Sequence, residues 1–134
     1  MNKNMDPTLK SHFLTLYCMV LADGVVDVSE LQMLYEIGIK DYGLKSDEIF
    51  EAVRDGGTSF FVPDSLEGKI KVLHDMAKIA WADGEIDSSE RELIKKYALH
   101  YGFQPENVEA IADFMLDSVH EGLNTEQITQ KILN

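Results

Sequence analysis

Basic residues are scarce in this chain: twelve lysines and arginines face twenty-four aspartates and glutamates, a formal charge of −12 over 134 residues. Such a field repels phosphate backbones and anionic lipid surfaces, so nucleic acid is not an expected partner, whereas cations and basic protein surfaces are. Cysteine is almost missing. The one present, Cys18, excludes an internal disulfide, points towards the cytoplasm, and by its place in an apolar helical pattern is expected to be a packed thiol. No apolar stretch approaches the roughly 20 residues that cross a bilayer, and none follows a basic start, so a soluble chain without direct membrane insertion is expected. Period-two alternation of useful length is absent too, which leaves helices. A chain of this length buries roughly two-thirds of its unfolded surface as one domain and needs no cross-link.

What is present is helical periodicity, twice. Leu9, Phe13, Leu16, Tyr17, Val20 and Leu21 share one stripe, and Ile70, Leu73, Met76, Ala77, Ala80 and Trp81 repeat it sixty residues on. Leu31, Leu34, Ile37 and Gly38 carry a second helix to about Tyr42, with Gly43 as its left-handed stop. Leu93, Ile94, Tyr97, Ala98 and Tyr101 do the same ahead of Gly102. The offset there is fifty-nine, so one residue has been gained or lost between the copies. A third helix over roughly 47–54, a helix from 64 opened by Asp64 and Glu67, a sixth from about 105 with Pro105 in its first turn, and a short last helix opened by Asn124 and Gln127 complete the set. Between the halves, "RDGGTSFFVPDS" has loop chemistry, with Phe60, Phe61 and Val62 expected against the core. The sequence predicts an all-α single domain over 1–134 with about seven helices. Its halves, about 6–55 and 64–122, are related by a pseudo-twofold and followed by a C-terminal helix at 124–133.

Each half carries the same acidic loop: "LADGVVDVSE" holds Asp23, Asp27 and Glu30 around Gly24, and "WADGEIDSSE" holds Asp83, Asp87 and Glu90 around Gly84. The spacing D-G-x-[IV]-D-x-x-E matches the second half of an EF-hand calcium loop. The first half is missing, because its acidic positions fall on Met19 and Leu21, and on Ile79 and Trp81. A full cage from one loop is thereby excluded, leaving three carboxylates that could hold calcium, magnesium or manganese weakly. Zinc is disfavoured: His12, His74, His100 and His120 are scattered, with no paired spacing near either loop. The alternative is structural. Asp27 with Glu30 and Asp87 with Glu90 are good helix starts that cap free amides. Asp23 and Asp83 are less well explained that way, since each follows the negative end of a helix, where only an Asx-turn or a cation would offset its charge.

Two copies of A-D-G-x-[IV]-D-x-x-E about sixty residues apart, at 21–31 and 81–94, in an acidic helical domain, resemble the TerB-like family associated with tellurite resistance. The resemblance implies a compact, non-enzymatic, cytoplasmic domain whose acidic clusters bind divalent metal. It also implies association with stress-response systems that include membrane proteins. Carried over by position, the metal site would be Asp23, Asp27 and Glu30 with Asp83, Asp87 and Glu90, with no catalytic residues. The second loop is the more polar, having Glu85 and Ser88 where the first has Val25 and Val28, and is the better single candidate. Three readings stay open: a cation-binding scaffold for a protein partner, an interaction module whose loops only cap helices, and a carboxylate-metal hydrolase. The last lacks a phosphate-cradling loop, a paired nucleophile and a histidine beside the carboxylates.

Overall fold

The computed structural model describes residues 7–22, 24, 26–55 and 62–133, so Phe60, Phe61 and Asp23 lie outside the described residues, while Val62, expected against the core, is 44 % exposed where the chain enters α4. Seven α-helices follow one another: α1 Pro7–Val20, α2 Val28–Tyr42, α3 Ser46–Asp55, α4 Leu66–Ala80, α5 Ser88–His100, α6 Val108–His120 and α7 Thr125–Leu133. One 3₁₀ turn, Pro105–Asn107, precedes α6, so Pro105 opens that turn and not the helix itself. No strand occurs among the described residues, and no helix there is long and apolar enough to cross a membrane.

Helix starts follow the capping chemistry with one correction. Asp27 and Asp87 sit at N-caps in extended backbone, each accepting an amide hydrogen bond from the first turn. Asn124 and Gln127 exchange a reciprocal pair of 2.8 and 2.9 Å. For α4, however, the cap is Ser65, whose hydroxyl accepts from the Gly68 amide at 3.0 Å. Asp64 stands one residue too early to reach those amides.

Helix α4 is the axis of the molecule, packed against α1, α2, α5, α6 and α7. From Val72 to Ala80 all but Lys78 are buried. Phe13, Leu16 and Met19 of α1, Leu34 of α2, Ile94 of α5 and Met115 of α6 close over it at 0 % exposure. Each such side chain stabilises the fold by about 1.5–3 kcal/mol. Cys18 is not among them. It is exposed, because it lies on the side of α1 away from α4, and the expected packed thiol is corrected to a surface one. Leu21, at the end of the α1 stripe, is likewise 40 % exposed.

The change of offset from sixty to fifty-nine has a physical location. In α5 the closing bond runs from the Phe103 amide to Ala98 O, whereas in α2 both the Gly43 and Leu44 amides reach back to Gly38 O. The last turn of α2 is therefore one residue wider. Gly38 itself packs face to face with α3, since a Cβ there would collide with Ile49 and press on Phe13. That close approach requires glycine.

Candidate functional site

Gly24 and Gly84 turn the chain in the same way. Gly24 donates to Leu21 O and Gly84 to Trp81 O, both at 2.9 Å. Their φ values are 84° and 87°, in the left-handed region that a side chain disfavours. Asp83 lies exposed at the end of α4, and its carboxylate accepts the Glu85 amide at 3.0 Å. This Asx-type bond partly offsets a charge placed at the negative end of the helix. Asp87 accepts from Ser89 N at 2.7 Å, while Glu90 reaches back to the Asp87 amide at 2.9 Å, completing a capping box. In the first loop Asp27 accepts from Glu30 N at 3.1 Å, but Glu30 does not return the bond.

Where Glu30 goes instead is what the sequence did not foretell. Glu30 and Glu90 are 5 % and 3 % exposed, and their carboxyls, one from each half, lie close enough for each to act on the other. Burial pushes Glu30 well above the ordinary glutamate range. The neighbouring Glu90 and the charges of Asp27 and Asp83 add to it. Burial also raises Glu90, but there Glu30 and the bond from the Asp87 backbone pull the other way. Both carboxyls are therefore held towards their neutral form, Glu30 the more strongly. Asp83, on the second loop, adds its charge to the field on Glu30 of the first, so the two loops lie near each other. No basic side chain forms an ion pair with Asp27, Glu30, Asp83, Asp87 or Glu90 among the described residues. Among those same residues no three acidic, histidine or cysteine side chains are already arranged around one point as metal ligands.

A second polar cluster lies on the α1–α2–α4 seam, and sequence reasoning missed it. Asp75 is completely buried. It accepts from His12 Nε2 at 2.9 Å, Tyr42 OH at 3.2 Å and Lys71 Nζ at 3.1 Å. Burial alone would raise Asp75. The hydrogen bond from His12, the nearby His74 ring and the charges of His12 and Lys71 outweigh it and hold the carboxyl below its ordinary range. Lys71 and Lys78 also reach Asp41 on α2, at 3.3 and 3.6 Å. The available signal was the adjacent His74 and Asp75 in "KVLHDMAKIA", polar residues flanked on both sides by the apolar pairs Val72-Leu73 and Met76-Ala77. His74 Nε2 donates to Leu123 O at 3.1 Å, tying α4 to the turn before α7. Apart from His74 Nδ1, which is buried without a hydrogen-bond partner, the polar atoms of the cluster bind its own helices together, which marks it as structural.

Comparison with protein-family models, with curated proteins and with solved structures finds no match to this chain.

Proposed function

We propose that this is a non-enzymatic, TerB-like cytoplasmic protein whose paired acidic loops take up one divalent cation weakly and present it to a protein partner in a stress response such as that to tellurite. The observation carrying the reading is the meeting of Glu30 and Glu90. Two buried carboxyls from separate halves face each other, both raised by burial, with the charges of Asp27, Asp83 and Asp87 acting on them and no lysine or arginine paired to them among the described residues. A site that must hold a proton to relieve carboxylate repulsion is a site where a divalent cation can replace that proton. Asp27, Asp83 and Asp87 lie at the surface end of the pair and can turn inward, so calcium, magnesium or manganese would be held by oxygen donors from both loops. Glu30 in particular spends no bond on its own cap.

The second reading, that the loops only punctuate helices, is favoured by the complete capping box at Asp87 and Glu90. The two are separated by thermal unfolding in chelator and in about 10 mM calcium. A site of about 10⁻⁴ to 10⁻³ M stabilises by roughly 1–3 kcal/mol under those conditions and raises the melting temperature by about 3–10 °C. An unchanged melting temperature with calcium, magnesium and manganese leaves capping as the function of the loops.

A further inference from the structure

The two long seams of the molecule are pseudo-equivalent, yet only one is closed. On one side α2 packs directly against α4, strapped by Lys71 and Lys78 to Asp41. On the other, the backbones of α5 and α1 stay further apart, and α5 reaches α1 through Tyr97, which faces Thr15 and Cys18. Cys18 stands where the repeat would place Lys78, sixty residues on, so the side chain that bridges the first seam is replaced by a short one. The result is a trough of about 530 Å³, floored by Cys18, Leu21, Ala22 and Leu93 and edged by Ser88 and Lys96. It continues along α5 past Tyr97 towards His100. Apolar surface extends beyond it at the first loop, where Val26 is 48 % and Val28 67 % exposed.

One end of the trough opens onto the acidic loops, since Ser88 and Ser89 immediately follow Asp87. Asp27, Asp83, Glu85 and Asp87 have no ion-pair partner among the described residues, on a chain of net charge −12. An occupant that buried the apolar floor would be drawn to that end by cations of its own. Anionic and nucleic-acid surfaces are repelled. We infer that the α1–α5 trough is a docking groove for an amphipathic helical segment of another protein, with its apolar face on Cys18, Leu21 and Leu93 and its lysines or arginines over the acidic loops. The anchor spacing of such helices suits a shallow trough lined by two helices. This names the partner-facing surface of the proposed function but does not require a bound cation.

The test uses the full chain in chelator, so that failure of cation binding cannot mask the result. The probe is a labelled peptide of about 15 residues, or about four helical turns, with leucines on one face and lysines on the other. Binding should move the amides of residues 18–22 and 88–96. A peptide of the same composition with its leucines spread round the helix should bind at least about tenfold more weakly, and Cys18→Lys, which restores the strap residue at an exposed position, should weaken the amphipathic peptide to a similar degree. Cys18→Trp, which fills the trough without changing charge, should do the same. Equal binding of both peptides, equal binding to the variants with an unchanged far-ultraviolet spectrum, or amide shifts confined to other surfaces would overturn the proposal. So would concentration-dependent dimerisation abolished by Cys18→Lys, which would make the occupant a second copy of the chain.

Discussion

Helices α1 and α4 occupy equivalent places in the two halves, but their polar residues are unlike. Lys71, His74, Asp75 and Lys78 of α4 correspond to Ser11, Leu14, Thr15 and Cys18 of α1. The difference follows from what covers each helix. Helix α7 has no counterpart in the first half, and it packs on α4, so α4 is surrounded on all sides and its polar groups must find partners inside the protein. Helix α1 keeps an edge open at Cys18, and beside it the buried Thr15 faces Tyr97 of α5 without any charge. The halves agree at the Gly24 and Gly84 turns and at the Glu30–Glu90 pair, where both contribute to one place. They part company where the neighbours differ.

The largest test of that contrast is to remove the equivalent buried groups. Asp75→Ala leaves His12, Lys71 and Tyr42 without their acceptor, and should cost about 3–5 kcal/mol by denaturant unfolding. Thr15→Ala, its counterpart, should cost only about 1 kcal/mol. Equal losses would break the distinction between a charged seam and a neutral one.

A smaller effect separates Glu30 from Glu90. Because Glu30 is raised above its ordinary range in the folded state, the folded protein keeps a proton that the unfolded chain gives up as pH rises past the normal glutamate range. The sign is therefore loss of stability with increasing pH above about 5, at up to about 1.4 kcal/mol per pH unit, until Glu30 ionises in the folded state too. Glu30→Gln replaces the raised carboxyl by an amide that stays neutral at every pH. It should leave stability at pH 5 nearly unchanged, flatten the decline above it, and raise the melting temperature at pH 8. A variant whose pH profile overlays the parent would show that Glu30 is not held towards its neutral form.

The smallest expected differences are at the caps. Asp87→Ala should lose about 1 kcal/mol, because it holds a complete capping box, and Asp27→Ala somewhat less, because Glu30 returns no bond. Asp83→Ala should change stability by under about 0.5 kcal/mol, since it relieves an unfavourable position at the end of α4 while losing its bond to the Glu85 amide. Chemical denaturation of the three variants, free of metal, ranks them.

The all-α class, the seven helices and the turns at Gly24 and Gly84 were legible from apolar spacing and turn chemistry, which are local signals. So was the register change near Gly43, although not its form as a widened turn closing on Gly38. The α4 cap was misplaced by one residue because Asp64 and Ser65 are both good capping residues and only backbone geometry chooses between them. Cys18 was misjudged because an apolar stripe wider than the contact with α4 does not say which of its edges is covered. The convergence of Glu30 with Glu90 was beyond local reading, since each looks like an ordinary third residue of a helix until the two halves are packed together. Asp75 carried a signal, a charge amid buried positions, but its partners His12 and Tyr42 lie sixty-three and thirty-three residues away.

The central claim is that the two loops form one cation site and not two sets of caps. Amide shifts followed during calcium and magnesium titration of the full chain test it most directly. Residues 27–30 and 83–90 should move together with a single apparent affinity of about 10⁻⁴ to 10⁻³ M, and Glu30→Gln should abolish the movement in both loops at once. Movement of one loop alone, or none at millimolar cation, would contradict it.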